Sequence, residues 1–375
     1  MFIPRLYQLA DYLKPGKVLI IFGPRQAGKT TLVNHYLHRN PYQYRFETGD
    51  NIQIQDILSV PDLPKLKEFV AGYELLVIDE AQKIKNIGEV LKLLIDQIPQ
   101  LRIIATGSSS FELAGQIGEP LTGRKITLNL FPIAQFELIR IYNKHDLRQQ
   151  LENYLIYGSY PEIVVAEQVE QKRELITEIM QSYLLKDILS LEKIKNSKIL
   201  LDLIRLLAFQ IGKEVSLSEL AMQIGIDGKT VARYLDLLEK SFVIYNLRGY
   251  SRNLRKEITK KSKYYFYDNG IRNAIIANFN SLNLRNDIGE LWENFIVIER
   301  IKKQIYQHMH VNNYFWRTWD QQEVDFVEER AGQLFGYEIK WKMPRQLKKP
   351  KDWLTTYENA QFNIIHNENY LEFIA

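Results

Sequence analysis

Gly23 to Thr30, GPRQAGKT, follow the pattern GxxxxGK[ST], and every required position has a chemical reason. The glycines let the chain wrap closely around a phosphate and aim backbone N–H groups at it from a helix N-terminus. The Lys29 ammonium would neutralise β and γ oxygens, and the Thr30 hydroxyl would reach a Mg2+ ion. Gly23, Pro24, Arg25, Gln26, Ala27, Gly28, Lys29, Thr30 and Thr31 are thus the expected nucleotide-binding loop. Further on, ELLVIDEAQ carries an apolar run, Leu75 to Ile78, that ends in two carboxylates. Asp79 can hold the magnesium shell while Glu80 orients and polarises the attacking water. A third run, LRIIATGSSS, ends in Thr106, Gly107 and Ser108, where a hydroxyl could sense a γ-phosphate. Arg124, in LTGRK beyond it, could act catalytically as a sensor or finger arginine in its own chain or a neighbour's, or simply be a solvated surface group.

The same stretches show the elements that must carry these groups. Val18 to Phe22, Leu75 to Ile78 and LRIIATG are near-continuous apolar runs ending in glycine or polar residues. That is the pattern of parallel strands covered on both faces, with ligands bound outside their carboxyl ends. The expected fold class is therefore α/β, a P-loop NTPase parallel sheet over residues 1–134. From Gln135 to Leu191 apolar residues recur at helical spacing, interrupted at YGSYPE, where Gly158 ends one helix and Pro161 lets another begin. Residues 135–195 are read as a helical lid over the nucleotide. Asp187, a lone acid on an apolar helix there, reads as a pairing or capping group.

Residues 196–268 have the outline of a winged helix. In SLSELAMQIGIDGKTVARYLDLLEKSFVIYNL, Ser218 is expected to cap one helix running to Ile224 and Gly225 to turn the chain. Asp227 would then cap a second helix carrying Lys229, Thr230 and Arg233 outward. Phe242 to Leu247 and Tyr264 to Tyr267 would form the wing strands. Between them stand seven basic residues, Arg248, Arg252, Arg255, Lys256, Lys260, Lys261 and Lys263, against the acid Glu257, interleaved with Tyr250. Such a stripe suits a phosphate backbone. DNA contact through Lys229, Thr230, Arg233, Arg252, Arg255 and Lys256 is one reading; a protein-docking module with a solvated basic loop is the other.

WDQQEVDFVEERAGQLFGYEIKW reads as two strands joined by a tight turn at Ala331-Gly332. Pairing Arg330 with Gln333 sets Asp325 opposite Glu338. Lys340 then shares Glu338's face, and Phe335, Tyr337, Ile339 and Trp341 share the other. Upstream, Ile288, Leu291, Trp292, Phe295, Ile298 and Ile301 form an apolar helical stripe. Glu293 lies one turn beyond Gly289, whose missing side chain leaves room. Glu293, Asp325 and Glu338 with Lys340 would suit a divalent-metal phosphodiesterase, oxygens holding the metal and the lysine stabilising developing charge. Six basic residues from Lys340 onward, Lys340, Lys342, Arg345, Lys348, Lys349 and Lys351, could hold a polyanion beside them. An idle site kept for docking is the competing reading.

Bulk properties narrow the classes further. With 375 residues, 46% hydrophobic, 25% charged and 12% aromatic, the chain is expected to fold as several modules. It has no cysteine, and its six histidines form no HxxxH pair, so any metal must be held by oxygens. No apolar run approaches the roughly 18 residues of a spanning helix. Met1 to Lys14 lacks the basic start and apolar middle of a signal peptide, so a cytoplasmic chain without a membrane partner is expected. A net charge of +4 is too small to name a partner, which leaves the placement of the basic residues to do so.

IFGPRQAGKTTL, LLVIDEAQ, ATGSSSFEL, LTGR and LFPIAQFEL together resemble the AAA-plus family of prokaryotic ATP-binding proteins, the first two as its Walker A and Walker B motifs. The resemblance continues through YGSYPEIV, YLLKDIL, YFYDNGIRNA and EVDFV, and so covers nearly the whole chain. It implies a P-loop ATPase core, a helical lid, a winged helix and, over residues 269–375, a domain similar to restriction endonucleases. Glu293 matches that domain's G-x-x-x-E element, and Asp325, Glu338 and Lys340 its D and E-x-K elements. Val324 stands where the superfamily has proline. The expectation is an ATPase using ATP and Mg2+, whose nucleotide state positions the downstream modules on DNA, with a homo-oligomer also in view. A signalling or scaffold ATPase with inactive, protein-binding C-terminal modules is the alternative.

Overall fold

In the computed structural model the described residues are 3–108, 120–182, 197–250, 261–318, 320, 322–345 and 350–375. Asp187, Arg252, Arg255, Lys256, Lys260, Lys348 and Lys349 lie outside them. The chain divides into two compact units, residues 1–132 with 240–242, and residues 133–239 with 243–375.

The first unit is built on a parallel sheet of β1 (Val18–Phe22), β2 (Tyr44–Thr48), β3 (Leu75–Asp79), β4 (Arg102–Gly107) and β5 (Lys125–Asn129), in the order β2-β3-β4-β1-β5. β1 is buried at every position, and β3 and β4 nearly so, because helices cover both faces. One such layer packs Leu76, Ile78, Ile103 and Ala105 against Val90, Leu91 and Leu94 of helix α4 (Ile87–Gln97). The remaining named helices of this unit are α1 (Lys29–Leu37), α2 (Ile52–Leu58) and α3 (Leu63–Phe69). Asn51 and Asp62 cap α2 and α3, each accepting a backbone N–H of the first turn. β2 and β5 are edge strands; their exposure pattern is mixed, and apolar runs alone do not reveal them.

In the second unit a seven-stranded mixed sheet has the order β12-β11-β10-β9-β7-β8-β6. Its strands are β6 (Glu214–Val215), β7 (Ile244–Gly249), β8 (Ser262–Phe266), β9 (Asn312–Arg317), β10 (Glu323–Arg330), β11 (Gln333–Ile339) and β12 (Gln361–Ile365). The two expected wing strands, β7 and β8, pair antiparallel, and β7 continues into β9 through parallel pairs Arg248 to Tyr314 and Gly249 to Phe315. One sheet therefore contains both β7 and β8 and the C-terminal hairpin. The hairpin register is the one the turn requires: Arg330 faces Gln333 and Phe326 faces Tyr337, with both turn residues, Ala331 and Gly332, at positive φ. A bulge interrupts β10 against β9 between Val324 and Val327.

Helices in this unit include α5 (Leu151–Tyr157), α6 (Val169–Met180), α7 (Ser197–Phe209), α8 (Leu217–Ile224), α9 (Gly228–Lys240), α10 (Asn269–Ile275) and α11 (Ile288–Tyr306). Gly158 ends α5 with φ 81°, and Pro161 opens the next short helix. No other residue fits at 158, since a Cβ there would lie 1.9 Å from Asp268 Oδ1. The buried Asp268 carboxylate instead accepts from the Ser159 N–H at 2.7 Å and the Ile271 N–H at 3.1 Å, tying the expected lid to α10. α11 is buried almost all round, with Leu291, Trp292, Phe295, Ile298 and Ile301 as the apolar stripe and Lys302 paired to Glu299 at 2.7 Å beside it.

α8 and α9 are consecutive helices joined by a short turn, with Gly225 at φ 76°. Ser216 caps α8, accepting from the Glu219 N–H at 3.2 Å, two residues before the expected Ser218, which sits in its first turn. Asp227 accepts from the Thr230 N–H at 2.9 Å and hydroxyl at 2.6 Å, so its carboxylate is held below its ordinary range. Among the described residues no helix is long and apolar enough to cross a membrane.

Candidate functional site

The phosphate loop joins β1 to α1. Gln26 has φ 58° and Gly28, the residue before α1, has φ 93°, the alternation that turns successive N–H groups toward one concavity. Gly23 is fixed by close approach, for a Cβ there would stand 2.0 Å from the Leu130 carbonyl oxygen. Lys29 is buried, and its ammonium crosses back over the loop to donate to the carbonyls of Gly23 at 2.8 Å and Pro24 at 2.9 Å. Ala27 is buried and Thr31 exposed, the first packing the loop and the second facing outward.

Asp79 is the hub of the strand ends. Thr30 Oγ1 donates to its Oδ2 at 2.9 Å, and Thr106 Oγ1 donates to its Oδ1. The same Thr106 hydroxyl accepts the Glu80 N–H at 3.3 Å. This follows from strand order: β4 lies between β1 and β3, so Thr106 at its carboxyl end stands between the loop and the acids. Glu80 adopts φ 50°, a left-handed conformation that costs about 1–3 kcal/mol for a non-glycine residue and is typically held at functional positions. Two residues outside the sequence-based set support it. A Cβ on Gly49 would come within 2.3 Å of the Glu80 carbonyl oxygen, and Gln82 donates to the Glu80 carboxylate and, at 3.3 Å, to the Ser108 hydroxyl. Gln82 sits inside the IDEAQ stretch, whose final residue was the available signal.

These groups fit a magnesium-bound triphosphate. A threonine hydroxyl and a carboxylate already in contact are hard oxygen donors of the kind Mg2+ takes, beside a lysine and a glycine-cleared loop. Arg124 is placed elsewhere. Its carbonyl accepts from the Val18 N–H at 2.8 Å, at the amino end of β1, whereas the phosphate loop leaves the carboxyl end. Four strand steps, about 13 Å, separate the two ends. Its guanidinium pairs with Asp96 at 2.8 Å.

The second unit gathers Glu293 from α11, Asp325 from β10, Glu338 from β11 and Lys340 just beyond its end. Lys340 Nζ lies 2.7 Å from Glu338 Oε1 and 3.6 Å from Asp325 Oδ2. Two members were hidden among the wing residues. Lys263 Nζ lies 3.4 Å from Glu293 Oε1 and 3.9 Å from Asp325 Oδ1, and Tyr265 OH donates to Glu293 Oε1 at 2.6 Å. Strand alternation on β8 was the signal, since residues two apart share a face. Room for Glu293 comes from Gly212, not Gly289: a Cβ at Gly212 would stand 3.1 Å from Glu293 Oε1, while one at Gly289 would meet nothing within 4 Å. Val324, fully buried, packs in the aromatic cluster of Trp316, Trp353 and Tyr357.

Burial pushes the Glu293 carboxyl up to about 7, with Lys263 pulling it down and Asp325 adding to the rise. Burial, then Asp325, raises Glu338. Burial pulls the Lys263 ammonium down, but Glu293, Asp325 and Glu323 together carry it above its ordinary value. A carboxyl whose pKa is higher folded than unfolded stabilises below the unfolded value and loses that contribution as pH rises through the folded one. The unfolding free energy is therefore expected to fall as pH rises from about 4.5 to about 7. Urea unfolding across that interval should show a shallower decline in Glu293→Gln.

Among the described residues no three His, Cys, Asp or Glu side chains are arranged to hold a metal ion. The acid cluster as it stands does not fit one, because lysine ammonium groups lie among its carboxylates.

Lys229 and Arg233 are exposed on α9, whereas the Thr230 hydroxyl is engaged by Asp227. Tyr250 packs against Tyr314 and Tyr357 with ring centroids 5.3 and 5.4 Å apart, so it belongs to the core. Arg252, Arg255 and Lys256 lie outside the described residues.

Residues 15–139 match a family model described as an AAA domain. Residues 148–283 and 288–371 match two models described as domains of unknown function, DUF8612 and DUF4143. An uncharacterized protein of Haemophilus influenzae is 23% identical over 97% of this chain and 92% of its own length. Uncharacterized protein Rv2008c of Mycobacterium tuberculosis is 26% identical over 89% of this chain and 72% of its own length. Uncharacterized protein MJ1544 of Methanocaldococcus jannaschii is 24% identical over 84% and 73% respectively. Among solved structures, a STAND protein with a tetratricopeptide repeat sensor, PH0952 from Pyrococcus horikoshii, aligns with TM-score 0.30 and 14% identity over 80% of this chain and 46% of that one. A Bacteroides Pif1 bound to single-stranded DNA aligns with TM-score 0.25 and 13% identity over 48% of this chain and 50% of that one. At such scores the alignments carry no weight for function. The AAA match, with the parallel sheet and the loop it bears, supports a P-loop ATPase domain in the first unit.

Proposed function

We propose that the chain is a Mg2+-dependent ATPase whose nucleotide state sets how its second unit engages DNA. The observation that carries the reading is the meeting of Lys29, Thr30, Asp79, Thr106 and Glu80 at the carboxyl ends of β1, β3 and β4. The loop N–H groups and Lys29 bind the triphosphate. Thr30 and Asp79 would hold Mg2+, which neutralises phosphate charge when bound. Glu80 orients the attacking water and takes its proton. Thr106, bonded to both acids, is the group through which loss of a γ-phosphate would be felt. A ligand shifts a conformational equilibrium only by its differential affinity for the two states, and the Asp79–Thr106–Glu80 chain supplies a place for that difference. Arg124 has no part in its own chain's site in this reading.

For the second unit, exposed Lys229 and Arg233 on α9, with exposed Arg248 and Lys261 flanking the wing, support a DNA partner. ATP hydrolysis measured with and without duplex DNA tests the coupling, and stimulation is expected. Lys229→Ala with Arg233→Ala should weaken DNA binding and lower the salt slope by about two counterions. A chain that binds no DNA at physiological salt would instead be a scaffold ATPase whose second unit binds protein.

A further inference from the structure

The acid cluster of the second unit contains its own cation. Lys263, 5% exposed, projects from β8 between two carboxylates of different elements, 3.4 Å from Glu293 Oε1 on α11 and 3.9 Å from Asp325 Oδ1 on β10. Two further oxygens of the cluster, Asp325 Oδ2 and Glu338 Oε1, are engaged as well. Asp325 Oδ2 accepts the Ile339 N–H at 2.8 Å and lies 3.6 Å from Lys340, which is itself 2.7 Å from Glu338 Oε1. Tyr265 OH donates to the same Glu293 oxygen that faces Lys263. A shared Mg2+ would need these oxygens at about 2.0–2.1 Å, in the space the ammonium already takes, and would be repelled by it. A buried carboxylate pair must be compensated by some cation, and here the chain supplies it.

We propose that Lys263 is the resident cation of this cluster, clasping β8 to α11 and the hairpin, and that it keeps divalent metal out. Removing the ammonium, rather than adding a carboxylate, would turn the cluster into a metal site. This does not rest on the ATPase reading, which concerns other residues.

Mn2+ alone, titrated into the nucleotide-free full-length chain and followed by electron paramagnetic resonance, tests it. Wild type and Asp325→Asn should bind the same number of Mn2+ ions. Lys263→Met should gain one site, at least tenfold tighter than anything in wild type, and Lys263→Met with Asp325→Asn should lose it. A Mn2+ site in wild type that Asp325→Asn removes would overturn the proposal, as would a folded Lys263→Met that gains none. If Lys263→Met does not fold, the comparison of wild type with Asp325→Asn still decides, with Glu338→Gln as a second probe of the same oxygens. Any phosphate-loop Mn2+ is common to all these proteins and cancels.

Discussion

Glu80→Gln is expected to leave ATP binding intact and to slow ATP hydrolysis by about 100- to 10,000-fold, the range a positioned general base contributes. The substitution preserves shape. Glu80 is placed by its backbone: its N–H donates to Thr106, its carbonyl is cleared by Gly49, and its φ of 50° opens the turn after β3. Glutamine keeps all of that and removes only the carboxylate's ability to accept a proton from water. Steady-state kcat with an independently measured Kd separates the two effects. Wild-type turnover in the variant would take Glu80 out of the chemistry.

Lys29→Ala should weaken ATP binding by about 100- to 20,000-fold in titration calorimetry. Charge-assisted hydrogen bonds contribute about 1.5–3 kcal/mol each, and two lost to the β and γ oxygens amount to about that ratio, at 1.4 kcal/mol per tenfold. The same ammonium braces the loop through the carbonyls of Gly23 and Pro24, so part of any loss could come from the loop itself. Lys29→Met keeps the aliphatic stem in its buried slot and removes the ammonium, with its charge and both carbonyl bonds. Equal loss in both variants, with an unchanged thermal unfolding midpoint, assigns the effect to the ammonium and not to the packing of the stem. Retained affinity in Lys29→Met would assign it to packing.

The central strands of the first unit were legible because β1, β3 and β4 are buried on both faces and so must be apolar at nearly every position. Edge strands β2 and β5, YRFET and KITLN, are half exposed, and their mixed residues resemble loop. The hairpin register was legible too, because Ala331-Gly332 dictates the turn and the turn dictates which residues face each other. Capping was legible to within two residues, Ser216 serving where Ser218 was expected, since both serines precede the same apolar run. β7 and β8 were visible as strands to within two residues, but not their pairing into the sheet of the hairpin, since edge-to-edge pairing leaves no local trace.

What local geometry controls could be read along the chain: a phosphate-binding loop before a helix, acids at the end of a buried strand, and a strand register across a tight turn. Which distant groups meet was set by packing. It set Thr106 between the loop and Asp79 because β4 lies between β1 and β3, and it sent Arg124 to the far end of the same sheet. It also drove Lys263 inward between Glu293 and Asp325, when its spacing had grouped it with solvated wing lysines. The physical reason is one of range. Turns and caps are short-range backbone interactions that neighbouring residues specify, whereas strand order and burial arise from packing the whole unit, which alone determines the partner of a buried charge.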